Sequence, residues 1–360
     1  MRVAFRELLA PKAEVNNSAV ARILGMHRDA LLHASWGQTV YDPSYCVMLD
    51  EGAHEIVLAF RGSLSDADFL TDACGLPAPF CGGMAHKGMA TMIDRVVADE
   101  ALFECLRDAR QAHPSFKLVV TGHSLGAGLA TLFTIRVLHD RLLGGDDTAP
   151  VYHPSPMAEE VRAQLGLRRA PPPDSLACDW MHTYAFAPPP VVTLPLADRF
   201  DSCITSVVVA KDVVPRLSLT SVDRLGAKLA EIGGASASTV GTGHFVDGVE
   251  ESFIPGTVLL STKPNHAHTR LVVVDRRSVL LRDIFLSSWM VVNHIPDQYA
   301  QALATVAADA QRAREAPVTT ETGSGNLVVD QPEGYGDKTP DSPDIDDGVD
   351  PEGFIVLGTP

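Results

Sequence analysis

Short apolar runs alternate along the chain with stretches of helical spacing. Runs bounded by turn residues predict strands at Tyr45–Asp50, Glu55–Phe60, 117–121, Met181–Phe186, 204–210, Thr257–Ser261 and 270–275. The first two are joined by Glu51-Gly52-Ala53-His54, a hairpin connection. Helical spacing is expected up to about Gly37 and at 86–113, 127–142, 221–232, 279–289 and 297–314. The 86–113 segment reads as one long amphipathic helix, with Met92, Ile93, Val96, Val97, Leu102, Phe103 and Leu106 on its apolar face. Pro77, Pro79, Gly82 and Gly83 mark a loop before it. Strands alternating with helices predict an α/β fold with a mostly parallel sheet. No internal repeat is visible.

Two breaks in the pattern set the domain organisation. Residues 144–179 form a Pro-rich insertion, with a helical piece at 158–165. From Ala316 onward Pro, Gly and Asp dominate, the composition of a disordered tail. The expected division is one domain over 1–315 and an acidic tail over 316–360.

Composition narrows the function. The chain has 360 residues, 46% of them hydrophobic, and a net charge of −16. Residues 321–360 hold ten acids and one lysine, so that stretch carries −9 and the rest about −7. A nucleic-acid binder would need a basic face, so that class is excluded. Cys46, Cys74, Cys81, Cys105, Cys178 and Cys203 show no C-x-x-C spacing and no zinc pattern. Cys74 and Cys81 could bridge a loop in an oxidising compartment, but free buried thiols are the expectation for a core this large. Residues 1–12 lack the apolar stretch of a secretory signal, and no run of about 18 apolar residues spans a bilayer. The expected location is cytoplasmic or peripheral to a membrane, with truncation at the N-terminus left open.

The chemistry centres on Gly122-His123-Ser124-Leu125-Gly126, a G-x-S-x-G sequence between a strand and a helix rich in small residues. That context predicts a nucleophile elbow, in which a sharp turn exposes the serine oxygen at the end of the sheet. A serine needs a histidine to take its proton, and the histidine needs a carboxylate to hold its tautomer. In this class of elbow the order is Ser, acid, His. Asp212 ends the strand-like run 204–210 and fits the acid. His244, His266, His268 and His294 all follow it. His294 lies in a loop between helical segments, and His244 competes with it. The Leu125 N–H is one expected oxyanion donor. Ser63, at the end of Phe60-Arg61-Gly62-Ser63, is the other.

Phe60-Arg61-Gly62-Ser63, Asp68-Phe69-Leu70-Thr71-Asp72, His86-Lys87-Gly88, the Ser124 elbow, Lys211-Asp212-Val213-Val214-Pro215-Arg216 and His294…Tyr299 occur in the order found in class 3 (fungal-type) lipases. The chain resembles that family from about Tyr45 to Tyr299. Phe253-Ile254-Pro255-Gly256 and His294-Ile295-Pro296-Asp297 resemble its sn-1 diacylglycerol lipase branch. The resemblance implies an α/β-hydrolase fold and hydrolysis of acylglycerol esters. It casts Ser124 as nucleophile, Asp212 as orienting acid, His294 as base, and Ser63 and Leu125 as oxyanion donors. No metal or organic cofactor is implied, and a transient lipid or membrane contact is. The loop over 64–85 stands where relatives carry a lid. Phe69, Leu70 and Phe80 would serve there as apolar lid or acyl-contact residues, unless the loop packs on the core. Phospholipase A1, a general carboxylesterase and a non-catalytic lipid- or protein-binding scaffold remain as alternatives.

Overall fold

The computed structural model describes residues 12–37, 42–62, 75–143, 178–233, 249–261 and 271–315. Its centre is an eight-stranded sheet, with the strands named in chain order. β2 (Tyr45–Asp50) and β3 (Glu55–Phe60) form the expected antiparallel hairpin. β3 then begins a parallel block continued by β6 (Lys117–His123), β7 (Met181–Phe186), β9 (Ile204–Val209) and β11 (Thr257–Ser261). Antiparallel strands close both edges, β1 (Leu31–Ser35) beside β2 and β12 (Leu271–Val274) beside β11. A second, four-stranded sheet joins β10 (Ser252–Phe253), β8 (Val192–Thr193), β5 (Gly83–His86) and β4 (Pro77–Phe80).

The central strands are apolar because both faces of the sheet are covered. All six residues of β9 are buried. One face meets α4 (Leu125–Asp140), which follows β6 directly. Leu58, Leu118, Val120 and Ile204 share a core there with the helix residues Leu129, Leu132 and Phe133. On the other face Val207, Val209 and Leu259 pack against Tyr299 and Ala302 of α8 (Pro296–Glu315). Helices therefore flank a mostly parallel sheet, the α/β-hydrolase architecture. Among the described residues, no helix is long and apolar enough to cross a membrane.

Four expectations need correction. The helical reading to Gly37 holds only for α1 (Lys12–Leu24); Leu31–Ser35 is an edge strand, largely half-buried, whose alternation is too weak to read. The 86–113 helix is two, α2 (Lys87–Val97) and α3 (Glu100–Ala112), because the Asp99 carboxylate accepts from the Leu102 N–H and starts a new helix. The Pro77–Gly83 loop contains a hairpin, which tolerates its prolines because β4 is an edge strand. The 279–289 helix is one turn, α7 (Val279–Arg282). The segments 144–177, 234–248 and 316–360 lie outside the described residues.

Candidate active site

β6 passes into α4 through Ser124 alone, held at φ 60° and ψ −125°. A positive φ costs a residue with a side chain on the order of 1–3 kcal/mol, so the surroundings must impose it. Its flanking glycines show how they do so. A Cβ at Gly122 would collide with the backbone of Gly126, and one at Gly126 with the Phe60 carbonyl. Strand end, elbow and helix start thus touch backbone to backbone. The Ser124 N–H donates to the Phe186 carbonyl at 2.9 Å, and its carbonyl accepts from Ala127 (2.9 Å) and Gly128 (3.1 Å). Leu125 is the first residue of α4, so its N–H has no acceptor within the helix and points to the end that favours negative charge. Gly62 lies against the elbow, where a Cβ would sit 3.7 Å from that of Ser124.

Three side chains converge here from far apart in the chain. Nε2 of His294 is 2.9 Å from Oγ of Ser124. Its Nδ1 lies 3.1 Å and 3.0 Å from the two Asp212 carboxylate oxygens. Asp212 follows β9 and is fully buried. Its carboxylate also accepts from the Val214 N–H (2.9 Å) and the Tyr299 hydroxyl (2.6 Å), so a buried charge is fully hydrogen-bonded. The Tyr299 oxygen in turn accepts from the Val209 N–H at 3.2 Å. Burial, and then the neighbouring Asp212 charge, holds the Tyr299 proton well above the ordinary phenol range.

Arg216 fixes the turn from behind. Its guanidinium is buried and donates to the carbonyls of Asp212, Ala210 (2.8 Å) and Leu280 (2.7 Å). Burial pushes its pKa down to about 10, which leaves it charged at neutral pH. His294 sits in a 3-10 turn, Val292–His294, and the Val213 N–H bonds the Met290 carbonyl at 3.1 Å. The segments bearing the acid and the histidine are thereby tied to each other.

The structure brings Ser124, Asp212 and His294 together and sets the Leu125 N–H beside Ser124. Ser63, Phe69, Leu70, His244, His266 and His268 lie outside the described residues. Phe80 is 5% exposed and packs in the main core, with Arg136 over its ring 5.6 Å from the centroid. The lid expectation therefore rests on the undescribed Phe69 and Leu70. His86 caps α2 by accepting from the Met89 N–H, and Met89 and Met92 are core residues. Sequence reasoning gave no role to Arg216, Tyr299 or His123. The signal for Arg216 was a lone charge among apolar residues at 213–217, and for Tyr299 a polar-tipped ring one turn beyond His294. Among the described residues, Cys81, His139 and Asp140 lie close enough to share a metal. Arg136 already pairs with Asp140 at 2.8 Å and hydrogen-bonds Cys81, so a cation occupies that position.

Two half-buried histidines set an expected pH response. Burial first, and then His294 beside the one and Lys117 beside the other, lowers both His123 and His182 from 6.5 to about 4. Between those values the unfolded chain binds protons at these positions that the folded chain refuses, so stability falls as pH falls. The thermal midpoint should drop from about pH 7 to about pH 4.5, and His182→Gln should flatten part of that drop. An unchanged slope in that variant would contradict the assignment.

Residues 57–152 match the family model described as lipase (class 3). Diacylglycerol lipase-beta of Mus musculus is 27% identical over 60% of this chain and 28% of its own length. Secreted mono- and diacylglycerol lipase A of Penicillium cyclopium is 35% identical over 26% of this chain and 31% of its own. A solved Rhizomucor miehei lipase propeptide complex aligns over 79% of this chain and 80% of that one, with a TM-score of 0.47 and 18% identity. The chain spans 28% of diacylglycerol lipase-beta and 17% of diacylglycerol lipase-alpha, well under two thirds of either.

Proposed function

We propose that the chain is a class 3 lipase, the family whose model matches residues 57–152, and that it hydrolyses acylglycerol esters, diacylglycerols foremost, through an acyl-serine intermediate. The observation that carries this reading is the unbroken hydrogen-bonded line from Ser124 through His294 to Asp212 on a positive-φ elbow. His294 takes the Ser124 proton as Oγ attacks the ester carbonyl. Asp212 holds the imidazole tautomer and stabilises the imidazolium. The Leu125 N–H, with Ser63 as its partner, receives the oxyanion; one such donor is worth roughly 3–4 kcal/mol in the transition state. His294 then protonates the leaving alcohol, activates a water, and the acyl-serine is hydrolysed. No metal enters these steps.

An aggregated lipid suits the rim of the site. Residues 284–296 contain no Asp, Glu, Lys or Arg, and they expose Leu286, Trp289, Val291 and Ile295 beside His294. Such a strip favours contact with an apolar surface, and tryptophan favours its interface. The names of the relatives point the same way, towards mono- and diacylglycerols.

The test is fatty-acid release by the purified chain from a panel of tri-, di- and monoacylglycerols and phospholipids, each in vesicles or emulsion. Release is expected from acylglycerols, highest for diacylglycerol, and faster from vesicles than from a dissolved short-chain ester. Turnover confined to phospholipids, or absent throughout, would overturn the proposal.

A further inference from the structure

His123 fills the variable position before Ser124 and takes no part in the proton relay described above. Its side chain leaves the sheet on the face occupied by α8, because Phe186 is its register partner, Val207 is in turn that of Phe186, and Val207 packs against that helix. There its ring lies on the imidazole of His294, with centroids 4.7 Å apart and planes 38° apart. His123 meets the Tyr299 ring nearly at right angles, with centroids 5.5 Å apart. His123 also hydrogen-bonds the His294 backbone, so it holds both the ring and the turn that presents it. Its Nε2 is buried and has no hydrogen-bond partner among the described residues. An apolar ring in that space would avoid the cost of a buried, unpaired nitrogen.

We infer that His123 is a positioning residue for His294, a wall that fixes the tilt of the histidine ring so that Nε2 stays aimed at Ser124 Oγ. The inference rests on the serine-hydrolase reading above. The need for such a wall follows from the local structure. His294 ends a single 3-10 turn, and the residues before it form no regular helix beyond α7. Two hydrogen bonds through Nδ1 and Nε2 fix the ring in its plane but leave rotation about the line joining those atoms. A second ring held against it, tilted by 38°, hinders that rotation. The groups packed around His123 are His294, Tyr299 and, through the electrostatic field, Asp212. A neutral His123 suits this place, since a second cation would oppose the imidazolium that forms on His294 in each half-reaction.

The experiment compares His123→Ala, His123→Phe and His123→Asn with wild type on p-nitrophenyl butyrate, with kcat and KM resolved and the thermal midpoint measured. His123→Ala removes the wall and should lower kcat about 30-fold with KM within about threefold, the scale of a small misplacement at the reacting centre. His123→Phe restores a ring and should keep kcat within about fivefold of wild type. His123→Asn keeps a polar group without a ring and should stay near the alanine value. Should the alanine variant not fold, the ratio of phenylalanine to asparagine decides. A folded alanine variant with wild-type kcat, a phenylalanine variant as slow as asparagine, or losses that follow the thermal midpoint and raise KM would overturn the inference. Ser124→Ala in the same assay separates the two levels. If it still turns over ester, the hydrolase reading fails whatever the His123 variants do.

Discussion

Ser124→Ala should lower ester turnover by on the order of 10⁵–10⁶-fold while leaving the fold almost untouched. Two features separate these effects. The serine oxygen is the atom that reacts, and the residual rate over water comes only from the oxyanion donors and substrate binding. Its structural contribution is one hydrogen bond to His294 at 2.9 Å, about 1 kcal/mol net. Alanine keeps a Cβ at the same positive φ, so the strain of the elbow is neither relieved nor increased. The measurement is p-nitrophenyl butyrate hydrolysis beside a thermal melt. A variant that unfolds, or one that keeps a tenth of the activity, would contradict this account.

Arg216→Leu should have the largest effect on stability, about 3–5 kcal/mol of unfolding free energy, with loss of turnover as a consequence. The guanidinium is 1% exposed and satisfies the carbonyls of Ala210, Asp212 and Leu280. Leucine leaves three buried acceptors unpaired and frees the turn that carries Asp212. It also removes the positive charge that offsets the buried carboxylate, and the cation over the Phe285 ring. Lysine would supply a point charge without the planar fork, so Arg216→Lys should recover only part of the loss. Urea unfolding of the three proteins provides the test. An unchanged midpoint in the leucine variant would mean that the turn is held by something other than this side chain.

The parallel strands were legible because both of their faces are buried, which leaves unbroken apolar runs such as Ile204-Thr205-Ser206-Val207-Val208-Val209. Strand order was not legible, since β3 pairs with β6 and β9 with β11 across long stretches of chain. The Ala98-Asp99-Glu100 break was hidden for a different reason. Those residues are compatible with a continuing helix, and only the Asp99 bond to the Leu102 N–H makes them a boundary. At 279–289 the apolar residues suggested a helix face, but Val279, Leu280, Leu286 and Trp289 are exposed and only one turn forms.

For the site, the local motif marked Ser124, and chain order made Asp212 a candidate acid that the family resemblance then favoured. Motif and order left four histidines after Asp212. In the structure it is His294 that meets both partners, through a turn that brings its two ring nitrogens onto an acid 82 residues away and a serine 170 residues away. For Arg216 and Tyr299 the sequence held a faint signal but no role, and for His123 not even that. Each of the three depends on which backbone or ring it meets, and none on a recurring spacing.

The central claim, that Ser124 is a nucleophile activated by His294, is tested most directly by a fluorophosphonate probe with the labelled peptide located by mass spectrometry. The account predicts a single adduct on Ser124 in the folded wild-type chain, lost on denaturation and in Ser124→Ala, and slowed by orders of magnitude in His294→Ala. No adduct on folded protein, an adduct on another serine, or undiminished labelling of His294→Ala would contradict it.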